Sequence, residues 1–311
     1  RGDIERPPLC EGRAAKGSVL IDDMLSVTEI FYHELLLFGS FWLLIGAFDD
    51  LLIDLIWIGR RGYRRFVYYR EQPPLRADQL SPPTRRGQLA VFIPTWQEAA
   101  VIDAMLAQCA SSWQSAKSDY RIYVGCYLND EAGIAKVSQA AAQNPNVKLV
   151  TLPHCGPTTK ADCLNGLWKA LLADELHGGY KAKAVILHDA EDCVHADELL
   201  IFDRLIEKNA AVQLPVIPIR TSGSQWISGH YCDEFAEAHG KTMVVREALG
   251  AALPLAGVGC AIDRNVLGRI AYDNGGSPFD EGSLTEDYEL GLRISAVGGR
   301  AIMARILDNA G

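Results

Sequence analysis

The stretch AVILHDAED at residues 184–192 joins a short apolar run to a cluster of acidic side chains. Four apolar residues in succession are typical of a strand that is buried on both faces, as in a parallel sheet. In open α/β sheets, ligands bind just beyond the carboxyl ends of the strands. The stretch therefore predicts a buried strand whose end carries acidic residues at a ligand-binding edge.

Similar apolar runs alternate with helical patterns along the rest of the chain. Strands are predicted at residues 89–93, 120–127, 147–152, 184–187, 211–219 and 257–262, and helices at about 97–113, 131–143, 159–177, 226–250 and 285–297. Strand, helix and strand at this spacing indicate right-handed βαβ units. We therefore expect an α/β fold with a mostly parallel sheet flanked by helices.

The overall composition excludes some classes of function. A formal net charge of −9 argues against a nucleic-acid-binding protein, because phosphate backbones attract clustered Lys and Arg. The eight cysteines contain no Cys-x-x-Cys pair, and several lie inside apolar runs. We expect reduced, buried thiols, as in a cytosolic domain.

An apolar segment, VTEIFYHELLLFGSFWLLIGAF at residues 27–48, precedes the α/β pattern. As a helix it would be about 33 Å long, enough to cross a hydrocarbon core of about 30 Å. The alternative is a buried helix of a soluble protein. The next stretch, DDLLIDLIW, has the composition of a helix lying in the membrane interface, and five arginines follow it between residues 60 and 70. By the positive-inside rule, the C-terminal side would be cytosolic.

These features predict four parts of the chain. Residues 1–23, ahead of Met24, form an N-terminal extension without regular structure. Residues 24–70 form a transmembrane helix and an interfacial helix, and residues 71–87, with four prolines, form a linker. Residues 88–311 form the α/β domain.

Candidate ligand-binding residues follow the first two strands. Pro94, Thr95 and Glu98 lie where the first strand gives way to a helix, and Thr95 is a candidate helix cap beside backbone N–H groups that face a nucleotide. Asp130 ends the second strand, where a carboxylate can accept hydrogen bonds from a base or ribose. The alternative for Asp130 is a simple cap of the helix that begins at Glu131.

The third helix begins with GPTTKADCLN at residues 156–165. Its first turn offers free backbone N–H groups, Thr158 or Thr159 as caps, and Lys160 as a charge for a phosphate. Asn165 is a further candidate, although it is not one helical turn from Lys160.

The acidic cluster after the fourth strand is the candidate metal site. Asp189 and Glu191, two apart in extended chain, point to the same side and suit a hard cation such as Mg²⁺ or Mn²⁺. Asp192 is an alternative ligand. Two neighbouring histidines, His188 and His195, raise the alternative of a transition-metal site, and a solvated acidic loop is the simplest alternative.

A last acidic group, Thr285-Glu286-Asp287, begins a helical pattern. A Thr cap followed by acids in the first turn is the expected local arrangement at any helix start. Asp287, with Glu286 beside it, is a candidate catalytic base only because the same chain contains the other acidic clusters.

Taken together, the chain resembles the membrane-bound family-2 glycosyltransferases, the cellulose- and hyaluronan-synthase-like enzymes of GT-A (Rossmann-like) fold. The stretches that carry the resemblance are PTWQE (94–98), Asp130, KADCLN (160–165), DAED (189–192) and TED (285–287), in family order. Two features depart from the family pattern. Glu191 replaces the second Asp of the usual Asp-x-Asp, and the expected Gln-x-x-Arg-Trp is missing, so we expect a C-terminally truncated chain.

The resemblance implies an inverting, metal-dependent transfer of sugar from a nucleotide-sugar, expected to be a UDP-sugar, to a glycan acceptor. Thr95, Glu98 and Asp130 would hold the uridine end, and Lys160 would lie near the nucleotide phosphates. Pro94, Asn165 and Asp189 would also bind the nucleotide-sugar. Asp189 with Glu191 or Asp192 would bind the cation, and Asp287, with Glu286 beside it, would be the catalytic base. The expected location is the bacterial inner membrane, with lipid and outer-membrane or secretion proteins as further partners. The alternatives are a sugar nucleotidyltransferase-like enzyme and an inactive, membrane-tethered nucleotide-binding subunit.

Overall fold

The computed structural model describes residues 12–219 and 224–307, with side chains from Met24 onward. The chain divides into two units, residues 1–59 and residues 60–311. The first unit consists of a long helix, and the second contains the α/β domain.

The first helix, α1, runs from Gly12 to Tyr63 and continues through a π-helical turn, Arg64–Tyr68, into the short helix α2, Tyr69–Glu71. Its part from Met24 onward includes one window long and apolar enough to cross a membrane, and none of that window is buried. The predicted transmembrane and interfacial helices thus form one uninterrupted helix, because no proline separates them.

The backbone of residues 12–23 is also helical, where the sequence predicted an extension without regular structure. This part has no proline and contains good helix formers such as Ala, Lys and Leu, which explains why residues 12–23 continue the helix. Residues 1–11 of that predicted extension lie outside the described residues.

The second unit is built on a seven-stranded sheet with the order β3-β2-β1-β4-β6-β5-β7. The strands are β1 Leu89–Pro94, β2 Tyr120–Cys126, β3 Val147–Thr151, β4 Ala184–Leu187, β5 Ala211–Gln213, β6 Cys260–Asp263 and β7 Ala301–Met303. Strand β1 pairs in parallel with β2 and β4, and only β6 runs antiparallel to its neighbours β4 and β5. The sheet is therefore mostly parallel, and the carboxyl ends of six strands lie at one edge.

Helices cover both faces of the sheet. They are α3 Ile102–Ser112, α4 Glu131–Gln143, α5 Lys160–Gly178, α6 Glu198–Leu205, α7 Gln225–Glu237, α8 Met243–Ala248, α9 Arg264–Asp273 and α10 Glu286–Ala296. A π-helical turn, Ala238–Thr242, joins α7 to α8. One face of the sheet packs on α3, α4 and α6, and the other packs on α5, α9 and α10.

Alternation along the strands creates the two cores. Val91 and Ile93 of β1 face the first group of helices, whereas Ala90 and Phe92 face the second group, and all four are fully buried. Because both faces are covered, the strands contain continuous apolar runs, as in other parallel sheets. This burial explains why the central strands were the most readily predicted elements.

The structure corrects several predicted boundaries. The strand predicted at 211–219 ends at Gln213, because Pro215 and Pro218 cannot donate ladder hydrogen bonds. The strand predicted at 257–262 begins only at Cys260, because Gly257 and Gly259 adopt left-handed backbone. The helix predicted at 97–113 begins at Ile102. Helices α6 and α9 and strand β7 were not predicted.

The predicted linker, residues 71–87, contacts the α/β domain. Ala77 donates a backbone hydrogen bond to Leu307, and Leu307 donates one to Leu75, at 2.9 and 3.0 Å. Further along, the backbone N–H groups of Thr84 and Arg85 donate to the Glu207 carboxylate at 2.7 and 2.6 Å. Hydrogen bonds near both ends of the segment therefore attach it to the α/β domain.

Lys183 is the centre of this attachment. Its ammonium is fully buried and contacts the Asp203 carboxylate, Glu207 Oε1 at 3.0 Å and the Arg85 carbonyl at 2.7 Å. Burial alone would raise the pKa of Glu207, but hydrogen bonds from Arg85 N–H, Thr84 and Lys183 lower it from 4.5 to about 2. The Lys183 ammonium therefore pairs with two carboxylates, and Glu207 pairs in addition with Arg204, whose Nη1 lies 2.6 Å from Glu207 Oε2.

We predict that Lys183→Ala lowers the free energy of unfolding by about 3 to 5 kcal/mol, because it leaves the buried Asp203 carboxylate without its cation. Urea unfolding followed by tryptophan fluorescence measures this. The matched control, Lys181→Ala, removes an exposed lysine two residues earlier and should leave the unfolding midpoint close to the wild type. Equal midpoints for the two variants would contradict the role given to Lys183.

The lowered pKa of Glu207 also predicts a dependence of stability on pH. Because the folded-state pKa lies below the unfolded one, the stabilisation is complete above pH 4.5 and is lost as the pH falls towards about 2. The difference in unfolding free energy between the wild type and Glu207→Gln should therefore shrink over this range. A difference that stays constant between pH 5 and about 2 would refute the assignment.

Candidate functional site

A cleft of about 270 Å³ opens at the carboxyl edge of the sheet. Its lining combines the ends of β1, β2 and β4 with the start of α5: Pro94, Thr95, Trp96, Glu98, Tyr127, Thr158, Thr159, Lys160, Cys163, Asp189, Ala190 and Glu191. Six predicted site residues are among them. The structure thus brings together side chains that are almost 100 positions apart in sequence, at the edge where the sequence predicted a ligand.

The segment after β1 is shaped by hydrogen bonds to β2. Thr95 is buried, and both its N–H and its hydroxyl donate to the Gly125 carbonyl, at 3.0 and 2.7 Å. Gln97 has a φ of 58° and donates its N–H to Asp130 at 2.9 Å. Thr95 therefore does not cap a helix as predicted, because the chain makes a left-handed turn before α3 begins at Ile102.

Asp130 uses both carboxylate oxygens within the protein. One oxygen accepts the N–H of Gly133 at 3.0 Å and caps α4, and the other accepts the N–H of Gln97. Only 4% of Asp130 is exposed, and it does not line the cleft. The local alternative, a helix cap, is therefore correct, and a contact of Asp130 with a nucleotide stays a prediction.

The loop before α5 is fastened to the end of β2. The Asn129 side chain exchanges two hydrogen bonds of 2.8 Å with the backbone of Gly156. The Trp96 ring lies over Gly156 so closely that a Cβ there would be 2.6 Å from it. Thr159 caps α5 by accepting the Asp162 N–H, as predicted. The loop therefore presents Thr158, Thr159 and Lys160 to the cleft in a fixed arrangement.

Lys160 is the cation of the site. Its Nζ lies 2.5 Å from Asp189 Oδ1, and both side chains are about one-third exposed. Burial lowers the pKa of Lys160, but the attraction of Asp189, and then of Glu286 and Asp287, outweighs it and raises the pKa above its usual value. Lys160 therefore pairs with the carboxylate of Asp189 after β4, and the charges at the start of α10 add to that attraction.

The acidic segment after β4 folds into a closed turn. Asp192 N–H donates to the Asp189 carbonyl at 3.3 Å, and Asp189 N–H donates to Asp192 Oδ2 at 3.0 Å. The same oxygen of Asp192 accepts from His188 Nδ1 at 2.9 Å, and His188 Nε2 donates to Glu198 Oε1 at 2.6 Å. Asp189 and Glu191 line the cleft, whereas Asp192 does not.

This packing shifts the pKa values of His188 and Glu191. Burial alone would lower the pKa of His188, but the charge of Glu198 and the hydrogen bonds to Asp192 and Glu198 raise it to about 10. Burial and the nearby charge of Asp189 raise the pKa of Glu191. His188 is thus an imidazolium with both nitrogens occupied, which removes it from the alternative transition-metal site.

The residues available for a divalent cation are Asp189 and Glu191. Within residues 24–219 and 224–307, no three His, Cys, Asp or Glu side chains converge as a ready-made cage. Mg²⁺-type sites often use one or two carboxylates and complete the shell with substrate phosphates and water. Two hard oxygen donors, one with a pKa raised by burial and by its neighbour's charge, fit such a site.

Glu286 and Asp287, in the first turn of α10, do not line the cleft, but their charges act on Lys160. Asp287 Oδ1 accepts its neighbour Tyr288 N–H at 2.7 Å, and Oδ2 lies against Gly257, where a Cβ would be only 2.5 Å away. Burial, with the adjacent charge of Asp287, raises the pKa of Glu286. Thr285 makes no side-chain cap, contrary to the expected local arrangement.

Asn165 lies on a different side of α5 and does not line the cleft. It is buried, and its amide nitrogen donates to the Phe279 carbonyl and to Glu281 Oε1, each at 2.9 Å. Its oxygen accepts the Phe279 N–H at 3.1 Å. Asn165 thus anchors the loop that precedes α10, and a contact with the donor stays a prediction.

The sequence analysis missed the aromatic part of the cleft. The rings of Trp96 and Tyr127 meet edge to face at 5.4 Å, and Tyr127 hydroxyl contacts both Thr158 and Asp162. The available signal was their position, because Tyr127 ends one predicted strand and Trp96 follows another by three residues. A larger cavity, of about 590 Å³, contains Lys181, Arg264 and Tyr272 near the opposite edge of the sheet, and it includes none of the predicted site residues.

Comparisons with known proteins agree with this geometry. Residues 86–306 match the family described as "Glycosyltransferase like family 2". The chain is 37% identical over 268 residues to bacteriophage adsorption protein B of Escherichia coli K12, covering 86% of this chain and 36% of the relative. Bacteriophage N4 adsorption protein B of Escherichia coli O157:H7 matches to the same extent. The chain spans about a third of the length of these curated relatives.

Among solved structures, the mannosyltransferase PcManGT from Pyrobaculum calidifontis, in complex with GDP-Man and Mn²⁺, has a TM-score of 0.54 and 18% identity. The match covers 83% of this chain and 67% of that protein, and at this identity it supports the fold. The family match extends from the start of the α/β domain to the end of β7, and the relatives share more than a third of their aligned residues. The chain therefore belongs to glycosyltransferase family 2 and is a family-2 glycosyltransferase of GT-A fold.

Proposed function

We propose that the protein transfers a sugar from a nucleotide-sugar, in the first place a UDP-sugar, to a hydroxyl of a glycan acceptor, with inversion and with the help of a divalent cation. The observation that carries the proposal is that Lys160, Asp189 and Glu191 line one cleft, with Lys160 Nζ 2.5 Å from Asp189 Oδ1. The charges of Glu286 and Asp287 also act on Lys160. Such a site can hold a diphosphate at one end and take up a proton at the other.

The donor would lie with its diphosphate near Lys160. This ammonium, together with the N–H groups at the start of α5, provides positive charge for phosphate oxygens. Trp96 and Tyr127 provide aromatic surface, and Thr95 and Glu98 provide polar groups for the nucleoside. Mn²⁺ or Mg²⁺ would be held by Asp189 and Glu191, and when bound it would offset negative charge growing on the departing diphosphate.

The proton would go to the carboxylates of α10. As the acceptor oxygen bonds to the anomeric carbon and the bond to the diphosphate breaks, Asp287 would take the hydroxyl proton. Positioned bases of this kind contribute about a hundred- to ten-thousandfold. Glu286, whose pKa is raised by burial, stands beside Asp287 as a second acceptor of the proton.

We place the enzyme in the bacterial inner membrane, with the α/β domain in the cytosol. The apolar window of the long helix and the arginines at its C-terminal end support this arrangement. The curated relatives are named bacteriophage adsorption proteins, which supports outer-membrane or secretion proteins as partners. Lipid would surround the helix, and nothing in the charge of the chain favours nucleic acid.

Calorimetric titration of UDP into the detergent-solubilised protein, with Mn²⁺ and then with a chelator, tests the donor site. We expect binding that weakens strongly with the chelator and in Asp189→Ala, because that variant removes a predicted cation ligand. Parallel titration of GDP-mannose, the ligand of the mannosyltransferase relative, distinguishes the two nucleotides.

The outcomes separate the alternatives. Binding of GDP-mannose alone would replace uridine by guanosine. Binding of a nucleoside triphosphate with release of pyrophosphate would favour a nucleotidyltransferase. Binding of a nucleotide-sugar with no transfer to any acceptor, and no slow hydrolysis of the donor, would favour a nucleotide-binding subunit.

For the base, we predict that Asp287→Asn lowers transfer or donor hydrolysis by about a hundredfold or more while leaving the Kd for the nucleotide nearly unchanged. Steady-state rates with calorimetric Kd values on the same preparation provide the measurement. Glu286→Gln, which neutralises the neighbouring carboxylate, is the comparison variant and should lose less rate than Asp287→Asn. A larger loss of rate in Glu286→Gln than in Asp287→Asn would assign the base to Glu286.

A further inference from the structure

His188 makes a three-residue contact directly behind the candidate cation site. Its imidazole joins Asp192 Oδ2, at 2.9 Å, to Glu198 Oε1, at 2.6 Å. His188 directly follows β4, and Glu198 is the first residue of α6. We call this arrangement of His188, Asp192 and Glu198 the clamp.

The clamp is built into the core of the domain. His188 is 3% exposed and Glu198 is 4% exposed, and the His188 backbone N–H donates to the Phe92 carbonyl of β1 at 3.1 Å. The imidazole also lies 6.4 Å from the buried ring of Trp113. Since both partners are carboxylates, each ring nitrogen donates a proton, and neither nitrogen has a lone pair free for a metal.

The clamp determines how the acidic turn is oriented. Asp192 Oδ2 accepts two hydrogen bonds, from His188 and from the Asp189 N–H, so this carboxylate is directed back into its own turn. Asp189 and Glu191 then remain on the cleft side. Glu191 and Asp192 are adjacent in sequence but differ in their contacts. Glu191 lines the cleft, whereas Asp192 is bonded within its own turn.

We propose that His188 is a positioning residue, which holds Asp192 as a structural brace so that Asp189 and Glu191 face the cation and Asp192 does not bind it. This inference rests on the proposed function, because it concerns the cation of that site. Groups behind the direct ligands typically change metal affinity by about 10- to 100-fold when they are removed.

The test compares four variants of the full-length protein in detergent, with Mn²⁺ as the probe and free Mn²⁺ measured by electron paramagnetic resonance. His188→Gln cannot contact both carboxylates, and Asp192→Ala removes the brace. Both should raise the Mn²⁺ Kd by about 10- to 100-fold. Asp192→Asn keeps an oxygen that accepts both hydrogen bonds and should stay close to the wild type. Glu191→Gln, which removes a predicted ligand, should be the most damaging.

A second readout needs no metal. Hydrogen exchange of the peptide spanning 188–192 should be faster in His188→Gln and Asp192→Ala than in the wild type, because the bond from Asp189 N–H to Asp192 is weakened or lost. Asp192→Asn should retain the protection. His195→Gln, on the same loop outside the clamp, is the matched control and should change neither readout. If His188→Gln does not fold, Asp192→Ala tests the same contact between His188 and Asp192 by changing the less buried of the two residues.

Two results would overturn the proposal. One is an Asp192→Asn variant that loses Mn²⁺ as completely as Glu191→Gln, since Asp192 would then be a ligand. The other is wild-type Mn²⁺ affinity and exchange in both His188→Gln and Asp192→Ala. A wild-type protein that binds neither Mn²⁺ nor nucleotide would instead overturn the proposed function, and the exchange data would still decide whether the clamp holds the turn.

Discussion

The site depends on the attraction between one ammonium group, that of Lys160, and the carboxylates of two separate segments, Asp189 after β4 and Glu286 with Asp287 at the start of α10. Like charges about 4 Å apart near a protein surface repel by about 4 kcal/mol, so acids from two separate segments do not gather without a cation. Lys160, at the start of α5, is that cation, with Asp189 at 2.5 Å. A helix start fixed by Thr159 and by the Asn129 contact with Gly156 keeps the ammonium in place. The rest of the cleft is arranged around this balance of charge.

The central part of the fold was predictable because a strand that is buried on both faces has a continuous apolar run in its sequence. Strands β1 to β4 and helix α4 were predicted within two residues, since apolar runs and capping residues coincide there. The edge of the sheet was less predictable. Strands β5 and β7 contain three residues each, and their pairing depends on contacts far away in sequence. Similarly, the reversal of β6 has no local signal, because direction follows from the path of the whole connection.

The candidate site also has a part that the sequence predicted and a part that it did not. Residue types at strand ends correctly identified Thr95, Glu98, Lys160, Asp189 and Glu191 as neighbours in one cleft. The same reasoning could not distinguish these from Asp130, Asn165 and Asp192, which have equally suitable side chains in equally suitable positions. What separates them is hydrogen bonding to distant backbone. Asn165, for example, contacts Phe279, more than a hundred residues away. Sequence patterns identify the chemistry available at an edge, but the partners of each group decide which oxygens remain for a ligand.

Polar side chains that bond to loop backbone explain how a site built from loops can keep its residues in fixed positions. Asp130 holds the turn after β1, Asn165 holds the loop before α10, and Asp192 closes the turn after β4. Each uses a buried or half-buried acceptor to satisfy backbone N–H groups that would otherwise lack a partner, which would cost about 1 to 3 kcal/mol apiece. Catalytic geometry must be held within a fraction of an ångström, and loops do not achieve this through apolar packing alone. The acidic residues near this cleft therefore fall into two groups: Asp189 and Glu191 line the cleft, whereas Asp130 and Asp192 accept hydrogen bonds from the backbone of the loops around it. Counting the acids of a motif overestimates the number that face a cleft, because the second group is already bonded within the protein.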